Sequence, residues 1–369
     1  MSKKVLISVG PIPAKLDSVK FLTNRFKGGL ALKTAQYLKS CGHNVQIVAW
    51  KYTELDTNIP VIRVEDVVDY YNKIISIQAD CYILAAAVAN LMRSNPYEGK
   101  FPSHNYKVGE KFNIEFEIAP RVIDEIKMKY LKCALIGYKL YDGSDEELIK
   151  AGKKTLFDSK ANIVFANHPK WAKDKKIVLT QDGSVFECSF DEHLKLINKL
   201  INSQYFESNI IQNEFVLNEQ DNYIFNTYPK YNQDERVYGC VAIRKNTGFI
   251  TTTRGKKEDG IAHVLNCDFQ KKMIVGNKKA TLNAPLLAKL FELNPSINIL
   301  LHGHELKGKS KHDEYEFVGT TNELKFAQKI ISGQEILLKH HGYIVGFKNV
   351  QEYTDYLNKN YLLNKYIKE

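Results

Sequence analysis

The spacing best suited to metal chemistry lies in Leu300-Leu301-His302-Gly303-His304-Glu305. Two histidines stand two residues apart, after the apolar run Ile297-Asn298-Ile299-Leu300-Leu301. In a β-strand, residues i and i+2 point to the same side, so both imidazoles face one way and can share an ion. Catalytic zinc takes three protein ligands and keeps one position open. A second apolar run, Ile336-Leu337-Leu338, leads into His340-His341-Gly342, which offers a third imidazole. The competing reading is histidines on a surface or at the edge of a core. The second histidine-bearing strand end weighs toward a divalent metal centre, zinc first.

Four stretches of the N-terminal half suit anionic small molecules. Thr23-Asn24-Arg25 is followed by Lys27-Gly28-Gly29 at the start of a helix. Backbone N–H groups at a helix N-terminus bind anions well. Ala85-Ala86-Ala87-Val88-Ala89-Asn90 is a strand end of small residues that lets a ligand approach the backbone, or equally a tight helix–sheet contact. Lys100 sits in the loop Glu98-Gly99-Lys100-Phe101-Pro102-Ser103. Gly137-Tyr138-Lys139-Leu140, Lys153-Lys154 and Lys160 place cations where a triphosphate would need them, though a solvated helix face also carries lysines.

These residues need scaffolds. Val5–Val9 reads as a buried strand, 29–41 as a helix with Leu30, Leu32, Ala35 and Leu38 on one face, and Val45–Val48 as the next strand. The alternation continues with a helix over 66–77, a strand over 81–88 and a strand over 134–137. A helix over 145–156 follows, with Ser144 and Glu147 as a capping box, then a strand over 162–166 and a helix over 190–201. That is a doubly wound Rossmann-like α/β domain, with ligands expected at the carboxyl ends of its strands. Residues 202–212 read as a polar junction. Beyond it Val241–Arg244 and Phe249–Thr253 flank Asn246-Thr247-Gly248 as a hairpin, 283–293 is a helix, two strands end in histidines, and 351–366 is a terminal helix. The second domain is mixed α/β. The boundaries are 1–203 and 204–369.

With 369 residues, 44% hydrophobic and 25% charged, the chain suits two globular domains. No apolar run reaches membrane-spanning length. The N-terminus runs into a strand rather than a signal peptide. The six cysteines show no CxxC spacing, which suits a reducing, cytoplasmic setting. The net charge of +10 comes from lysines spread among acids, so small-molecule substrates are expected as partners, not nucleic acid or a membrane.

Residues 4 to about 201 resemble the phosphopantothenate–cysteine ligase (phosphopantothenoylcysteine synthetase) family of coenzyme A synthesis. Asp17-Ser18-Val19-Lys20-Phe21-Leu22-Thr23-Asn24-Arg25 matches its D-x-V-R-x-I-T-N block. Ala86-Ala87-Val88-Ala89-Asn90 is similar to A-A-V-A-D, Gly137-Tyr138-Lys139-Leu140 to G-F-K-L, and Asn162-Ile163-Val164-Phe165-Ala166-Asn167 to D-x-I-V-A-N. The resemblance implies an enzyme that joins a carboxylate to an amine through an acyl-nucleotide, using CTP or ATP with Mg2+. It implies catalytic roles for Lys100, on the transferring phosphoryl group, and for Asn24, on the acyl intermediate. Ala86, Ala87, Asn90, Gly137, Tyr138, Lys154 and Lys160 would line the nucleotide and substrate site. This chain departs from the pattern at Ser8-Val9-Gly10-Pro11-Ile12, where T-A-G-G-T is usual, at Asn90 and Asn162, where acids are usual, and at Asp158, near a usual lysine.

Residues from about 212 on resemble the class II aldolase/adducin family. Gly239-Cys240-Val241-Ala242-Ile243-Arg244 is similar to G-N-x-S-x-R, and Phe249-Ile250-Thr251-Thr252-Thr253-Arg254-Gly255 to x-I-T-P-S-G. The resemblance makes His302, His304 and His341 the zinc ligands and Gly239, Gly255, Thr281 and Asn283 the pocket. It implies that zinc polarises a carbonyl for retro-aldol, epimerisation or dehydration chemistry. Asn283 stands where the family's proton-transferring glutamate is usual, and an amide cannot accept that proton. Cys240 and Leu282 replace an asparagine and a serine. Glu305, Asp313 and Glu314 are candidates for the missing base. The chain is thus expected to be a ligase-like and lyase-like fusion, assembled as a dimer or tetramer. The alternative is a metal- and nucleotide-binding protein with one or both activities lost or redirected.

Overall fold

The computed structural model describes residues 2–172, 174–233, 236–254, 260–305 and 314–361. The chain forms two compact units. The first takes in the chain up to Gln181 and Val185–Asn202; the second takes in Asp182–Ser184 and the chain from Ser203 on.

The first unit is built on β1 (Lys4–Val9), β2 (Asn44–Trp50), β3 (Val61–Val64), β4 (Cys81–Leu84), β5 (Ala134–Leu140), β6 (Ile163–Asn167), β7 (Lys175–Thr180) and β8 (Val185–Ser189). Their order across the sheet is β8-β7-β6-β5-β4-β1-β2-β3. The pairs from β3 to β6 are parallel, and the β6–β7 and β7–β8 pairs are antiparallel. From β1 the chain first builds outward to β3, then returns and builds the other way from β4. Strands β1 and β4 are therefore the switch point of a doubly wound sheet, where a crevice opens at the carboxyl ends. The helices are α1 (Gly29–Ser40), α2 (Val67–Ser76), α3 (Val122–Lys129), α4 (Asp145–Asp158) and α5 (Phe190–Asn202). Alternation along the strands sends Leu6, Val48, Tyr82, Leu135 and Val164 to one face, against α2, α3 and α4. On the opposite face Phe165 packs edge-on against His193 of α5, 4.4 Å between ring centres.

Local signals explain several of these elements. The Asp66 carboxylate caps α2 by accepting from Val68 N and Asp69 N. Ser144 and Glu147 form the expected reciprocal capping box of α4. Other expectations need correction. The buried stripe of α1 is Ala31, Thr34, Ala35 and Leu38, with Leu30 and Leu32 only partly covered. The strand expected over 81–88 stops at Leu84; Ala87–Val88 instead makes a separate short parallel ladder with Pro11–Ile12. Strands β3, β7 and β8 and helix α3 were not expected. Lys175 and Lys176 mask the start of β7, and Arg63 interrupts the apolar pattern of β3.

The second unit holds β9 (Glu207–Ile210), α6 (Glu219–Thr227), β10 (Cys240–Arg244), β11 (Phe249–Thr252), β12 (Ile261–Asp268), β13 (Met273–Gly276), α7 (Ala284–Leu293), β14 (Ile299–Gly303), β15 (Glu335–Leu338), β16 (Gly342–Phe347) and α8 (Val350–Tyr361). Its sheet runs β9-β13-β12-β11-β10-β14-β16-β15, antiparallel except for the β9–β13 pair. Residues 202–212 are thus more than a junction, since β9 pairs along β13. The expected terminal helix runs to Tyr361, and its remaining residues lie outside the described ones. The period-2 rule sorts each strand between two cores. Cys240, Ala242 and Leu300 face α7 with Leu287 and Leu290, whereas Val241, Ile243 and Leu301 face α6 and α8 with Phe225 and Tyr353. Each fully buried aliphatic side chain here contributes roughly 1.5–3 kcal/mol. Arg244 Nη2 donates to Phe291 O and Asn294 O, each at 2.8 Å, and so caps the carbonyl end of α7.

All six cysteines are free thiols, and four are buried: Cys81, Cys133, Cys188 and Cys240. Among the described residues no helix is long and apolar enough to cross a membrane.

Candidate functional site

Each unit presents a candidate site. The first is a cleft of about 600 Å³ at the carboxyl ends of β4 and β5. Asn24, Ala86, Ala87, Asn90, Tyr138 and Lys154 all line it. Backbone pairing builds its wall. Ala86 N donates to Ser8 Oγ at 3.0 Å, and Ala87 N and Ala89 N donate to Gly10 O and Ile12 O at 2.9 Å. Asn24 Nδ2 donates to the carbonyls of Ala87 and Val88, both at 3.1 Å, so its amide locks the small-residue segment and leaves Oδ1 for other work. Gly28 is left-handed, φ 80°, and a Cβ there would fall 2.3 Å from Gly10 N. Glycine is therefore required where α1 begins against the end of β1. No side chain caps that helix start, so its first N–H groups remain directed outward.

The other expected residues of this unit sit as follows. The Tyr138 ring borders the cleft, but its hydroxyl bonds His193 Nε2 at 2.7 Å. Burial raises that phenol far above its usual range and pushes His193 down to about 3. A neutral imidazole and a neutral phenol result, which suits a fixed structural pair. Lys154 is an exposed ion-pair partner of Asp158 at 2.8 Å. Gly137 is buried, and a Cβ there would meet Ile123 Cδ1 at 2.8 Å, so it serves close packing of α3 on the sheet. Lys160, exposed and left-handed at φ 55°, follows the end of α4 and is not among the residues lining the cleft. Lys100 is on an exposed loop and is likewise not among the lining residues. Arg121, which does line the cleft and pairs with Asp124 at 3.4 Å, carried no motif signal.

The second site gathers His302, His304 and His341, whose candidate ligand atoms all lie within 4.8 Å of one another. Their ring centres are 4.7–4.9 Å apart. His302 is on β14 and shares the α7-facing side with Leu300; His304 follows the strand, and His341 occupies the turn between β15 and β16. Two glycines make the convergence possible. A Cβ on Gly342, φ 98°, would fall 2.0 Å from Gly303 O, and one on Gly303 would meet the Tyr343 ring at 2.4 Å. The two backbones touch where any side chain would hold them apart. His340, the alternative third histidine, takes a left-handed φ of 59°, and its neighbour His341 turns inward.

The tautomer of His302 follows from its partner. Its Nδ1 lies 2.9 Å from Tyr343 O, and a carbonyl only accepts, so Nδ1 carries the proton and Nε2 keeps its lone pair. A histidine oriented by a backbone carbonyl is the usual support for a metal ligand. Burial pushes His341 down to about 4, against the opposing pull of Asp182, so its imidazole is neutral and able to coordinate. This donor set of three convergent imidazoles fits zinc or a similar divalent ion.

Beside His341 lies a buried acid without a motif signal, Asp182, and a second buried acid, Glu323, interacts with it. Asp182 Oδ2 is 3.8 Å from His341 Nε2 and accepts from Tyr315 Oη at 2.6 Å. Glu323 is 1% exposed; its carboxyl accepts from Gly319 N at 2.8 Å and from Asn283 Nδ2 at 3.4 Å. Burial raises Glu323 to about 8, with Asp182 and Glu316 adding to the rise. Asn283 thus has a carboxyl partner within the fold. In the sequence Gln181-Asp182-Gly183 reads only as a turn, and Thr321-Asn322-Glu323 as a loop.

Of the expected pocket residues, Gly239 (φ 85°) would bring a Cβ within 3.1 Å of His302 O, and Thr281 N donates to Thr252 O at 2.9 Å. Gly255 and Asp313 lie outside the described residues. Glu305 and Glu314 are exposed, and Glu314 lies 4.0 Å from Lys325.

Comparison with known proteins gives one family. Residues 1–203 match the model of the DNA/pantothenate metabolism flavoprotein C-terminal domain. The coenzyme A biosynthesis bifunctional protein CoaBC of Thermococcus kodakarensis is 27% identical over 170 residues, 45% of this chain and 41% of that protein. The chain thus spans less than half the length of that relative. Among solved structures, the DNA/pantothenate metabolism flavoprotein of Streptococcus pneumoniae is 19% identical, covering 54% of this chain and 98% of its own, with a TM-score of 0.47. YgbL of Klebsiella pneumoniae, described as a candidate aldolase/epimerase/decarboxylase, is 14% identical, covering 33% of this chain and 73% of its own, with a TM-score of 0.25. Superpositions at these levels carry no argument about activity.

Proposed function

The chain belongs, through residues 1–203, to the family of the DNA/pantothenate metabolism flavoprotein C-terminal domain, and from that premise we propose that its first unit is a nucleotide-dependent carboxylate–amine ligase. The observation that carries the reading is the cleft at the carboxyl ends of β4 and β5, which is lined by Asn24, Ala86, Ala87, Asn90, Tyr138 and Lys154. The substrate carboxylate attacks the α-phosphorus of CTP or ATP and displaces pyrophosphate, and an amine then displaces the nucleoside monophosphate to give an amide; Mg2+, when bound, would neutralise phosphate charge. The small residues 85–89 admit the nucleotide against the backbone, and the start of α1 offers N–H groups to anionic oxygen. Asn24 Oδ1 meets the acyl group while its Nδ2 stays on the wall. Lys100 is assigned to the transferring phosphoryl group.

In the second unit His302, His304 and His341 would hold a divalent metal, zinc first, which polarises a substrate carbonyl when bound. The chain's own residues set the rest. Tyr343 O orients His302, and the buried Glu323–Asn283 pair is the carboxyl available to the pocket. The reading is a lyase-, epimerase- or dehydratase-like unit acting on small molecules, in a homodimer or homotetramer. The departures at Asn90, Asn283 and Cys240 favour a second reading, in which one substrate has changed or one unit only binds its ligand.

The decisive experiment measures pyrophosphate release by the full chain from CTP and from ATP, with phosphopantothenate and cysteine. Release that requires both the acid and the nucleotide supports the ligase, and an absence of release with either nucleotide leaves the second reading, a changed substrate or ligand binding alone. Metal content of the purified protein tests the second unit in the same way. Light scattering decides the assembly.

A further inference from the structure

Lys100 has no helix or strand to hold it, yet the peptide groups on both sides of it are bonded. Gly99 O accepts from Ser18 N at 3.0 Å, and Phe101 N donates to Asp17 Oδ2 at 3.1 Å. Tyr97 N donates to Leu16 O at 3.1 Å, and Arg93 Nη1 donates to the same carbonyl at 3.1 Å. The loop therefore lies along residues 16–18, and Lys100 is the tip of a bonded bulge. The Phe101 ring packs on Tyr106 and Phe112, at 5.2 and 4.9 Å, and Lys20 Nζ stands 6.0 Å over it.

Asp17 joins the two segments. It is 1% exposed, and both of its carboxylate oxygens accept hydrogen bonds. Oδ1 accepts from Val19 N at 2.7 Å and from Lys20 N at 2.6 Å, which folds the turn; Oδ2 accepts from Phe101 N and, at 2.8 Å, from Lys20 Nζ. That turn closes the short hairpin of Ala14–Lys15 with Phe21–Leu22, and Asn24 follows directly. One oxygen thus shapes the turn while the other reaches across to the lysine loop. These bonds to the charged carboxylate hold its proton affinity well below the usual range, Lys20 first.

We propose that Asp17 is a positioning residue that fixes the Lys100 loop against the segment carrying Asn24, so that both side chains address one bound acyl-nucleotide. The inference rests on the ligase reading above. It assigns Asp17 an effect on turnover rather than on nucleotide affinity, because Asp17 is not among the residues lining the cleft and acts through the loop.

Amide exchange of the full chain, resolved to the residue by mass spectrometry, tests the clamp without requiring activity. The Phe101 amide is expected to exchange at least about tenfold more slowly than an open loop amide; exchange at the open rate overturns the clamp. Asp17→Ser keeps one short acceptor for the turn but has no second oxygen for Phe101. Its expected result is faster exchange at Phe101, unchanged exchange in β1, and kcat for pyrophosphate release lower by about ten- to a hundredfold with KM for the nucleotide within about twofold. Parent-like kcat in that variant overturns the positioning role. Lys20→Met, which leaves Oδ2 on Phe101 N, is expected to retain Phe101 protection, and its loss there would assign the clamp to the ammonium instead. A parent chain that releases no pyrophosphate removes the ligase reading and with it the catalytic consequence, while the exchange data still decide whether Asp17 holds the loop.

Discussion

The two candidate sites are made in opposite ways. The cleft of the first unit is built mostly from backbone: Ala86, Ala87 and Ala89 hang on Ser8, Gly10 and Ile12, and Asn24 spends its amide on carbonyls. The site of the second unit is made of side chains, three imidazoles brought within 4.8 Å by two glycines, with the buried Asp182 carboxylate 3.8 Å from one of them. A backbone-built site tolerates changes in side chains, provided that they stay small. A side-chain site is all or nothing, because each imidazole is a separate ligand. The departures at Asn90 and Asn162 are therefore compatible with a working cleft, whereas the proposed lyase-like reading of the second unit would require another group in place of a carboxylate at Asn283.

The largest contrast is expected from His302→Ala. Metal bound per chain should fall from about one ion to background by elemental analysis, while pyrophosphate release in the first unit is untouched. A parent chain purified in the presence of zinc that still lacks metal would end the metal reading. Lys100→Ala should lower kcat for pyrophosphate release by roughly a hundredfold or more and leave metal content unchanged. Equal rates in parent and variant would move the catalytic cation elsewhere.

Gly342→Ala comes next. A methyl group 2.0 Å from Gly303 O, on a backbone of φ 98°, should destabilise the second unit by roughly 2–4 kcal/mol. Denaturant unfolding followed by separate probes of the two units measures it, and an unchanged second transition would contradict the close approach. Glu323 carries the pH dependence. The folded protein keeps this carboxyl protonated up to about 8, whereas the unfolded chain ionises it near 4.5. The associated stability is complete below about 4.5 and is lost as pH rises through 8, by on the order of 5 kcal/mol in all. Glu323→Gln should flatten that dependence in the second unit's unfolding curve, and a parent curve without the decline would show that the carboxyl ionises freely. The smallest effect belongs to Lys154→Ala. Its pair with Asp158 is exposed, so stability should change by less than about 0.5 kcal/mol, while KM for the nucleotide rises several-fold. An unchanged KM would remove Lys154 from the nucleotide site.

Much of this was legible along the chain. The alternation of buried strands and capped helices announced the doubly wound sheet, since a period of two or of 3.6 is a local property. Asp66 and Ser144 marked helix starts for the same reason. The His-x-His spacing was readable because neighbours two apart on a strand share a face. Elements with a weak local signature escaped: β3 with its arginine, β7 behind two lysines, and β9 inside what reads as a linker. Their strand character comes from the partners they pair with.

The sequence by itself determined which residue types are available: three histidines with the right local spacing, a lysine on an unanchored loop, a run of alanines at a strand end. Only the tertiary structure decided which of them meet. His341 joins His302 and His304 because two glycine-bearing strands touch, and Glu323 reaches Asn283 across 40 residues of chain. The Lys100 loop is held through a carboxylate 83 residues earlier, and its flanking amide bonds Asp17 itself. The physical reason is the same in each case. Hydrogen bonds and metal ligands act over about 2–3 Å, and distances that short between remote residues exist only after the backbone has closed on itself. The opening pair, His302 and His304, was therefore a fragment of a site, and Gly342 turned it into a whole one.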